Sequence, residues 1–562
     1  MAPQPLRGLL LSDFNAENLA ALLNRSSGPP ALTVRAAPFG QIVQALADPA
    51  DPAWDPRPDF AVVWTRPEAV LPSFSALLEY QQVPLEALLE EVDAYASRLA
   101  VLQERVRFAF IPTWVLPTAQ RGYGVLDMRN RLGLGNTLQR LNLRLADALE
   151  QVPNGYLLDA RRWVEAAGRQ AFVPKLWYLG KIPFGLEVFK AAGRDVQAGL
   201  KALTGATRKL LVLDLDDTLW GGVVGDLGWE NVVLGGHDPQ GEAFVDFQRA
   251  LKALSRRGIL LGVVSKNTES VALDAIGSHP EMVLRQADFA GWRINWEDKA
   301  QNIIDLAAEL NLGLQSVVFI DDNPVERDRV RGTLPEVLVP EWPEDKTLYK
   351  HALLGLSCFE TAAVSREDRD RARMYATERE RTSLRLNTGS LDDWLASLEM
   401  RVRVDPLDEA SLPRAAQLLN KTNQMNLSTR RLSEGELWEW AQGPGRGFWT
   451  IRVADRFGDA GLTGLLGLEV ADQSARIVDY VLSCRVMGRK VEEAMAALAV
   501  RFARGQGVPE LVAHYQPTAK NAPCLEFWKR SGFDGDSSGR FSWKVAREYP
   551  MPGALTLEGA VG

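Results

Sequence analysis

The sequence has 562 residues, and because a chain of this length exceeds what one hydrophobic core can organise, it predicts roughly three or four domains. The formal net charge of −8 and the lack of a basic run exclude a general nucleic-acid-binding surface. Three cysteines exclude a disulfide framework, which predicts a cytoplasmic protein with free thiols. The N-terminal apolar stretch is broken at Asp13 and Asn15, and no later run reaches the roughly 20 apolar residues of a membrane span, so we expect no signal peptide and no membrane partner.

Residues 1–205 predict an α/β module. Short apolar strands alternate here with amphipathic helical stretches, as in "LRGLLLSDF", "FAVVWT" and "LGNTLQRLNLRLADALEQV". Ser12 ends the first of these strands, and the module resembles an SGNH hydrolase in fold. All four histidines lie beyond residue 230, however, which excludes a Ser–His triad within the module. We therefore expect a non-catalytic module that binds or positions something.

Residues 206–355 predict a second α/β unit, whose strands end in polar residues. The strands are "KLLVLDLD", "GILLGVVSK" and "SVVFIDD". The residues at their ends are Asp214 and Asp216, Ser265 and Asn267, and Asp321 and Asp322. Because ligands bind beyond the carboxyl ends of parallel strands, these side chains are expected to share one crevice, with Lys299 at the start of a nearby helix. Carboxylates from two strands suit Mg²⁺, and a hydroxyl and a lysine supply the donors that a phosphoryl group requires.

This set of residues resembles the four motifs of the haloacid-dehalogenase phosphohydrolase superfamily, in order and at plausible spacing. The resemblance implies that Asp214 is the nucleophile and Asp216 the general acid/base. It also implies that Ser265 and Lys299 hold the phosphate. Solvated loop acids explain any one of these motifs equally well, but four motifs in the right order favour the site.

The binding residues follow from the same resemblance. Thr218 and Asn267 are expected to contact the substrate. The implied magnesium ligands are Asp214, the Asp216 carbonyl, and either Asp321 or Asp322. The sequence leaves the choice within that last pair open.

Glycines punctuate the segment after the nucleophile strand, "WGGVVGDLGWENVVLGG", which predicts a tight turn and a small β-flap. Much of the connection to the next strand is occupied by the helix "GEAFVDFQRALKALSRRG". This leaves no room for a large cap domain. We therefore expect an open site, which suits a substrate carried on another macromolecule.

Residues 356–394 are dense in alternating charge and predict a solvated helical linker. A third unit is expected over residues 395–548, followed by a frayed tail at 549–562. The order of strands, glycine turn and helices in the third unit resembles the Gcn5-related acyltransferase fold. Lys490 replaces a small residue of that family, and Trp528 stands where many members carry a tyrosine acid. Both departures weaken an amine-acetylating function and leave binding of a pantetheine arm open.

The cysteines of this chain provide a candidate thiol nucleophile. Arg485 lies where the resemblance places a coenzyme A pyrophosphate, and Cys484 directly precedes it at a predicted helix start. The positive charge of Arg485 and the helix start both favour the thiolate, so Cys484 is a candidate nucleophile. A small buried side chain without a catalytic role is an equally good interpretation. Cys358 and Cys524 are weaker candidates.

Two arginines end the polar segment "KTNQMNLSTRR". Arg430 and Arg431 are candidates for binding a phosphate or an acidic carrier. A capped loop without a ligand is the alternative interpretation.

Taken together, five stretches are similar to the FkbH-like family over nearly the whole chain. They are "LVLDLDDTLWGGVVGDLG", "INWEDKAQNI", "VVFIDDNPVERD", "NQMNLSTRR" and "LSCRVMGRKVE". Members of that family load a glyceryl unit from 1,3-bisphosphoglycerate onto an acyl carrier protein for polyketide and tetronate biosynthesis. The resemblance implies the same function here, with Mg²⁺ as the cofactor and the carrier's phosphopantetheine arm as the partner.

Two other functions stay open at this point. The chain is alternatively a Mg²⁺-dependent phosphatase of a small or carrier-bound phosphoester, with the third unit as a docking module. It is alternatively a coenzyme A-dependent acyltransferase supported by the middle unit. The intact four-motif set opposes this last hypothesis, because a mere support needs no such acids.

Overall fold

A computed structural model describes residues 4–26, 28–48, 50–361, 390–471, 473–518 and 520–559. The chain divides into two compact units, Met1–Ala206 with Glu360–Ala362, and Thr207–Phe359 with Ala363–Gly562. Among the described residues, no helix combines the length and the apolar character needed to cross a membrane.

The N-terminal unit contains a five-stranded parallel sheet in the order β2-β1-β3-β4-β5. Its strands are β1 (Leu6–Ser12), β2 (Leu32–Ala36), β3 (Phe60–Trp64), β4 (Phe108–Pro112) and β5 (Gly155–Leu158). Its helices are α1 (Glu17–Asn24), α2 (Ile42–Ala47), α3 (Pro67–Val70), α4 (Phe74–Leu78), α5 (Leu85–Leu99), α6 (Leu102–Arg105), α7 (Leu134–Leu149), α8 (Ala160–Ala167), α9 (Pro174–Gly180) and α10 (Leu186–Leu203). Leu9 and Leu11 of β1 face one hydrophobic core, whereas Leu10 faces another. This alternation explains why the strand is apolar throughout, since helices cover both faces of the sheet.

The second unit begins with a four-stranded parallel sheet in the order β8-β7-β6-β9. Its strands are β6 (Leu210–Leu213), β7 (Leu260–Ser265), β8 (Phe289–Ile294) and β9 (Val317–Ile320). Its helices are α11 (Val224–Leu227), α12 (Pro239–Arg256), α13 (Glu269–Ser278), α14 (Lys299–Glu309), α15 (Pro324–Thr333) and α16 (Tyr349–Leu354). Leu211 and Leu213 of β6 pack into one core, and Leu210 and Val212 into the other. Strand β6 is therefore buried on both faces, and the residue that follows it, Asp214, lies at the edge of the sheet where the parallel strands end.

The remainder of this unit is built on a mixed sheet in the order β16-β17-β15-β14-β13-β12-β10-β18, with β11 pairing with β14. Its strands are β10 (Met400–Pro406), β11 (Met425–Asn426), β12 (Arg446–Asp455), β13 (Gly458–Ala471), β14 (Ser474–Leu482), β15 (Glu510–His514), β16 (Asp534–Gly535), β17 (Arg540–Lys544) and β18 (Leu555–Glu558). Its helices are α17 (Leu391–Ser397), α18 (Leu412–Lys421), α19 (Glu434–Ala441), α20 (Val491–Gly505) and α21 (Ala522–Arg530). The strands β14 and β15 pair in parallel only from Ser474 to Ile477 on the β14 side, so the second half of β14 lies apart from β15. The protein is thus a multi-domain α/β protein, as the sequence predicts.

Two expected boundaries differ from the structure. The predicted linker, 356–394, falls mostly on residues 362–389, which lie outside the described residues. Helix α17 follows at once, and Trp394 and Leu395 pack with Met400. The predicted frayed tail, 549–562, is wrong over its described part, because β18 pairs in parallel with β10 and buries apolar side chains beside it.

Candidate active site

The polar residues predicted from the motifs lie at one edge of the four-stranded sheet. Asp214 follows β6, Ser265 ends β7, and Asp321 follows β9. Lys299 is the first residue of α14. All four side chains are buried, at 0–7% exposure. Of these four residues, Asp214 and Lys299 line a cavity at this edge, whereas Ser265 and Asp321 do not.

A lysine holds two of the carboxylates together. Lys299 Nζ lies 3.1 Å from Asp214 Oδ2 and 2.6 Å from Asp321 Oδ2. Burial alone would lower the pKa of Lys299, but the two carboxylates outweigh burial and raise it. Burial, followed by the negative charge of Asp214, raises the pKa of Asp321 to about 6. The cluster is thus two acids sharing one fixed cation in a desolvated place.

The carboxylates fit a magnesium ion. Oxygen atoms of Asp214, Asp321 and Asp322 lie within 4.8 Å of one another. Asp214 Oδ1 is buried and has no hydrogen-bond partner among the described residues. Leaving a buried carboxylate oxygen unpaired is costly, and hard oxygen donors at this spacing are the ligands that Mg²⁺ prefers. The unpaired atom therefore marks where a cation or a phosphoryl group belongs.

Asp216 is held by three donors. Its Oδ1 accepts hydrogen bonds from Trp220 Nε1 (2.9 Å) and from the Val224 backbone (3.0 Å), and its Oδ2 accepts one from Asn267 Nδ2 (2.9 Å). Burial, together with the charges of neighbouring acids, still raises its pKa. Asn267, expected to bind substrate, orients this carboxylate through its amide nitrogen. Asp216 is therefore a fixed acid whose proton is easier to keep at neutral pH than that of a free aspartate.

Thr218 differs from its expected substrate contact. Its side chain is fully buried, and its Oγ1 accepts a hydrogen bond from the backbone N–H of Asp322 (3.2 Å). A buried hydroxyl that bridges two loops cannot also reach a ligand in the open cavity. Thr218 therefore ties the loop after β6 to the loop after β9.

The cavity at this edge has a volume of about 370 Å³. The residues that line it are Asp214, Asp216, Asp217, Val223, Lys266, Lys299, Asp322, Asn323, Pro324 and Glu326. Lys266 and Glu326 were not predicted from the sequence, and they form an ion pair of 2.6 Å at its wall. Asp214, Asp216 and the candidate metal ligand Asp322 thus face one common space.

The glycine-rich segment does not form the expected β-flap. Gly221 and Val233 exchange two backbone hydrogen bonds (2.9 and 3.0 Å) as an isolated antiparallel bridge. Between them lie the short helix α11 and a single 3-10 turn, Trp229–Asn231. The connection from β6 to β7 otherwise contains only α12, so the domain has no large cap. Access to the cavity therefore stays open.

The candidate residues of the C-terminal sheet lie in internal contacts. Arg430 forms an ion pair with the buried Asp479 and stacks on Trp440, with its guanidinium carbon 4.5 Å from the ring centre. Arg431 donates to the backbone carbonyls of residues 419 and 422. These contacts occupy the groups that were expected to bind a phosphate or a carrier.

Cys484 and Arg485 are half-buried in a single 3-10 turn, Cys484–Val486. Helix α20 begins only at Val491, so the helix start expected beside Cys484 is not there. Cys524 is fully buried, and burial raises the pKa of its thiol to about 12. Cys358 is partly buried in the turn Ser357–Phe359.

The N-terminal module carries no comparable site at the end of its first strand. Ser12 is buried and donates to the backbone carbonyl of Phe14. The carboxylate of Asp13 accepts hydrogen bonds from the Arg66 backbone (2.8 Å) and side chain (2.7 Å). The guanidinium of Arg66 in turn stacks on Trp177 at 4.0 Å. An ion pair thus joins the residues that follow β1 and β3.

Comparisons with known proteins bear on this geometry. No protein-family model matches the chain, and no curated protein matches it. A solved structure that is similar to the chain is the N-terminal part of the protein BF1531 from Bacteroides fragilis, which contains a phosphatase domain complexed with Mg. It is 31% identical with a TM-score of 0.58, over 64% of this chain and 95% of that chain. The chain belongs to the same family as this phosphatase-domain protein. The α/β domain that contains β6 to β9 is a haloacid-dehalogenase-type domain, as the motifs predict.

Acetyltransferases overlap a smaller part of the chain. The ribosomal-protein-S18-alanine N-acetyltransferase from Escherichia coli is 13% identical over 26% of this chain and 94% of its own, with a TM-score of 0.20. The paia N-acetyltransferase from Thermoplasma acidophilum, in complex with coenzyme A, is 15% identical over 25% and 98%, with a TM-score of 0.21. A likeness of this size carries no conclusion about activity.

Proposed function

We propose that the protein is a Mg²⁺-dependent phosphatase and glyceryl transferase of the FkbH-like type. It takes 1,3-bisphosphoglycerate, releases its phosphoryl groups and loads the glyceryl unit as a thioester onto an acyl carrier protein. The observation that carries the proposal is the Asp214 carboxylate. Lys299 holds one of its oxygens, and the other is buried without a partner among the described residues, beside an open cavity.

In this proposal Asp214, the carbonyl of Asp216, and Asp321 or Asp322 would hold Mg²⁺. When bound, the ion would supply positive charge against the phosphoryl oxygens. Lys299 and Ser265 hold the remaining phosphoryl oxygens.

The phosphoester is removed in two steps. Asp214 attacks phosphorus, the bond from phosphorus to the glyceryl oxygen breaks, and Asp216 gives that oxygen a proton. Water then attacks the aspartyl phosphate and gives its proton to Asp216, so that inorganic phosphate leaves and Asp214 is regenerated. The raised pKa of Asp216 supports its role as the acid in the first step.

The acyl phosphate is the electrophile for a thiol. A thiolate attacks the acyl carbon, the carbon–oxygen bond to the phosphate breaks, and a glyceryl thioester forms. The attacking thiol is that of Cys484, which then passes the acyl group to the carrier, or the phosphopantetheine thiol itself. The burial and raised pKa of Cys524 argue against that residue as the attacking thiol.

Intact mass measurement of the carrier tests the proposal. The full-length protein is incubated with Mg²⁺, 1,3-bisphosphoglycerate and holo-acyl carrier protein, and the carrier is weighed. We expect a glyceryl mass increment on the holo-carrier and none on the apo-carrier, which lacks the thiol. With the Asp214→Asn variant, any glyceryl unit found on the carrier should still carry its phosphoester.

Phosphate release without a mass increment would instead support a plain phosphatase, and the complete cavity within the phosphatase domain is the observation that favours this second function. A coenzyme A-dependent acyltransferase is less well supported. At the expected pyrophosphate loop, the amide of Gly488 donates to the buried carboxylate of Glu492 (2.6 Å), where an anionic ligand would have to bind.

A further inference from the structure

One lysine outside the four motifs contacts the catalytic turn. Lys346 lies in the 3-10 turn Lys346–Leu348, directly before α16. Its Nζ donates to the backbone carbonyl of Asp217 (2.9 Å) and to the hydroxyl of Tyr349 (2.9 Å). The same ammonium group lies 3.5 Å from Asp322 Oδ2. A single side chain therefore joins the loop after β6 to the loop after β9.

The turn that Lys346 contacts is strained. Asp217 has a φ of +54°, in the left-handed region that favours glycine and that other residues adopt at some energetic cost. Gly222 supports this turn from one side, since its backbone N–H donates to Asp217 Oδ1 (2.9 Å). Lys346 supports it from the other side through the carbonyl. The strain matters because Asp214 and Asp216 lie on the same few residues and depend on its geometry.

Lys346 is itself anchored. Tyr349, its neighbour on α16, is fully buried and contacts the rings of Phe247 and Trp342, with ring centres 5.5 and 5.2 Å apart. The lysine side chain is 19% exposed and the Asp322 side chain 25%. The ammonium group is therefore held at a rigid position beside the cavity, and it is not a mobile surface charge.

We infer that Lys346 is a positioning residue of the phosphatase site, which fixes the Asp214–Asp217 turn and the Asp322 carboxylate relative to each other. This rests on the proposed phosphatase function and extends it. Lys346 does not line the cavity, so it acts through the residues that it orients, and not by contact with the substrate. Its removal should therefore slow the chemical step more than it weakens substrate binding.

The test uses three variants of the full-length protein. Lys346→Met keeps the side-chain stem and removes the ammonium group, whereas Lys346→Arg keeps a cationic donor. Lys350→Met is the matched control, because Lys350 lies on α16, which directly follows the turn of Lys346, and pairs with Asp246 (2.8 Å) at the exposed surface. Each variant is assayed with Mg²⁺ and p-nitrophenyl phosphate.

We expect Lys346→Met to lower kcat by ~10–100-fold, the usual effect of removing a group that orients a site residue, with KM changed by less than about threefold. Lys346→Arg should recover most of the loss, and Lys350→Met should match the wild type. An unchanged kcat in Lys346→Met overturns the inference. So does a raised KM with kcat intact, because that result makes Lys346 a substrate-binding residue.

Hydrogen exchange of the metal-free protein gives a readout that needs no turnover. We expect faster amide exchange in the segment 214–222 of Lys346→Met, with no change in Lys350→Met. Faster exchange throughout the phosphatase domain would mean a general loss of stability and would count against a positioning role. If the wild type hydrolyses no phosphoester, the proposed function fails, while the exchange result still decides whether Lys346 holds the turn.

Discussion

Among single residues, Asp214 bears the largest share of the proposed chemistry. One carboxylate oxygen contacts Lys299 and the other is buried and unpaired, so the group is oriented and still free to react. We predict that Asp214→Asn abolishes phosphate release, a loss of at least about a thousandfold, because the amide keeps the shape but is no nucleophile. Phosphate release is measured with Mg²⁺ and p-nitrophenyl phosphate, a phosphoester that has no acyl phosphate to be cleaved by a thiol.

The exposed Asp226, on the neighbouring helix α11, provides the matched control. Asp226→Asn removes the same charge close to the site and should release phosphate at the wild-type rate. Far-ultraviolet circular dichroism should find both variants folded. Full activity in Asp214→Asn would remove this residue from the mechanism.

The acid Asp321 makes stability depend on pH. Its pKa, about 6 in the folded protein, lies above the ordinary value of 3.8, so the fold binds this proton more tightly than the unfolded chain does. The stabilising contribution is complete below about pH 4 and is lost as the pH rises through about 6. We predict that the metal-free wild type loses about 1 kcal/mol of unfolding free energy relative to Asp321→Asn between pH 5 and pH 7.5.

Denaturant unfolding with a chelator present measures this difference. The Asp321→Asn variant is the control for the wild type, since it has every other titrating group of the wild type. Two unfolding curves that shift in parallel with pH would contradict the raised pKa of Asp321.

At the scale of elements, the start of helix α14 sets the place of Lys299. Asp298 caps this helix, and its Oδ1 accepts hydrogen bonds from the backbones of Ala300 (2.9 Å) and Gln301 (3.2 Å). We predict that Asp298→Ala lowers the unfolding free energy by about 1 kcal/mol and also lowers kcat several-fold, because the first helical turn carries the lysine that holds both acids. Thermal unfolding and phosphatase kinetics measure the two effects.

Asp238 makes the same kind of cap on helix α12, with hydrogen bonds from Gln240 (2.8 Å) and Gly241 (3.0 Å). Asp238→Ala should cost similar stability and leave kcat unchanged, since α12 carries no group of the site. An equal loss of kcat in both variants would mean that stability alone, and not the position of Lys299, controls the activity.

Strands and helices with a clear pattern of apolar residues were predictable from the sequence, and irregular segments were not. The strands ending at Asp214, Ser265 and Asp321 follow from buried apolar runs, because both faces of a parallel sheet must be apolar. The segment from Gly221 to Val233 was expected to be a β-flap, but glycine spacing alone does not distinguish a hairpin from a bridge that encloses a short helix. The pairing of β18 with β10 has no local signal, since its partner lies far away along the chain.

At the scale of the whole molecule, the motifs located the site but not the residues that support it. Asp214, Lys299 and Asp321 meet because parallel strands end at one edge, and this follows from the fold class. Lys346 joins the site only through the path of the chain after β9, and no motif contains it. Arg430 and Arg431 were expected to contact a ligand. Their internal contacts could be found only in the structure, because the partners lie on other elements.

The last prediction concerns how the two proposed activities divide along the chain. Every residue that lines the cavity lies between Asp214 and Glu326, and Lys346 and Tyr349 follow within the same domain. A similar protein was itself solved as an N-terminal part that contains a phosphatase domain. We therefore predict that a truncated protein of residues 1–361 folds and keeps Mg²⁺-dependent phosphate release within about threefold of the full chain, while it no longer forms the glyceryl thioester on the carrier.

Phosphate release and the intact mass of the holo-carrier are measured side by side, and Asp214→Asn in the truncated protein is the control for residual activity. A folded fragment without phosphatase activity would place part of the phosphatase machinery in the C-terminal sheet, and a fragment that still loads the carrier would exclude Cys484 as the transferring thiol.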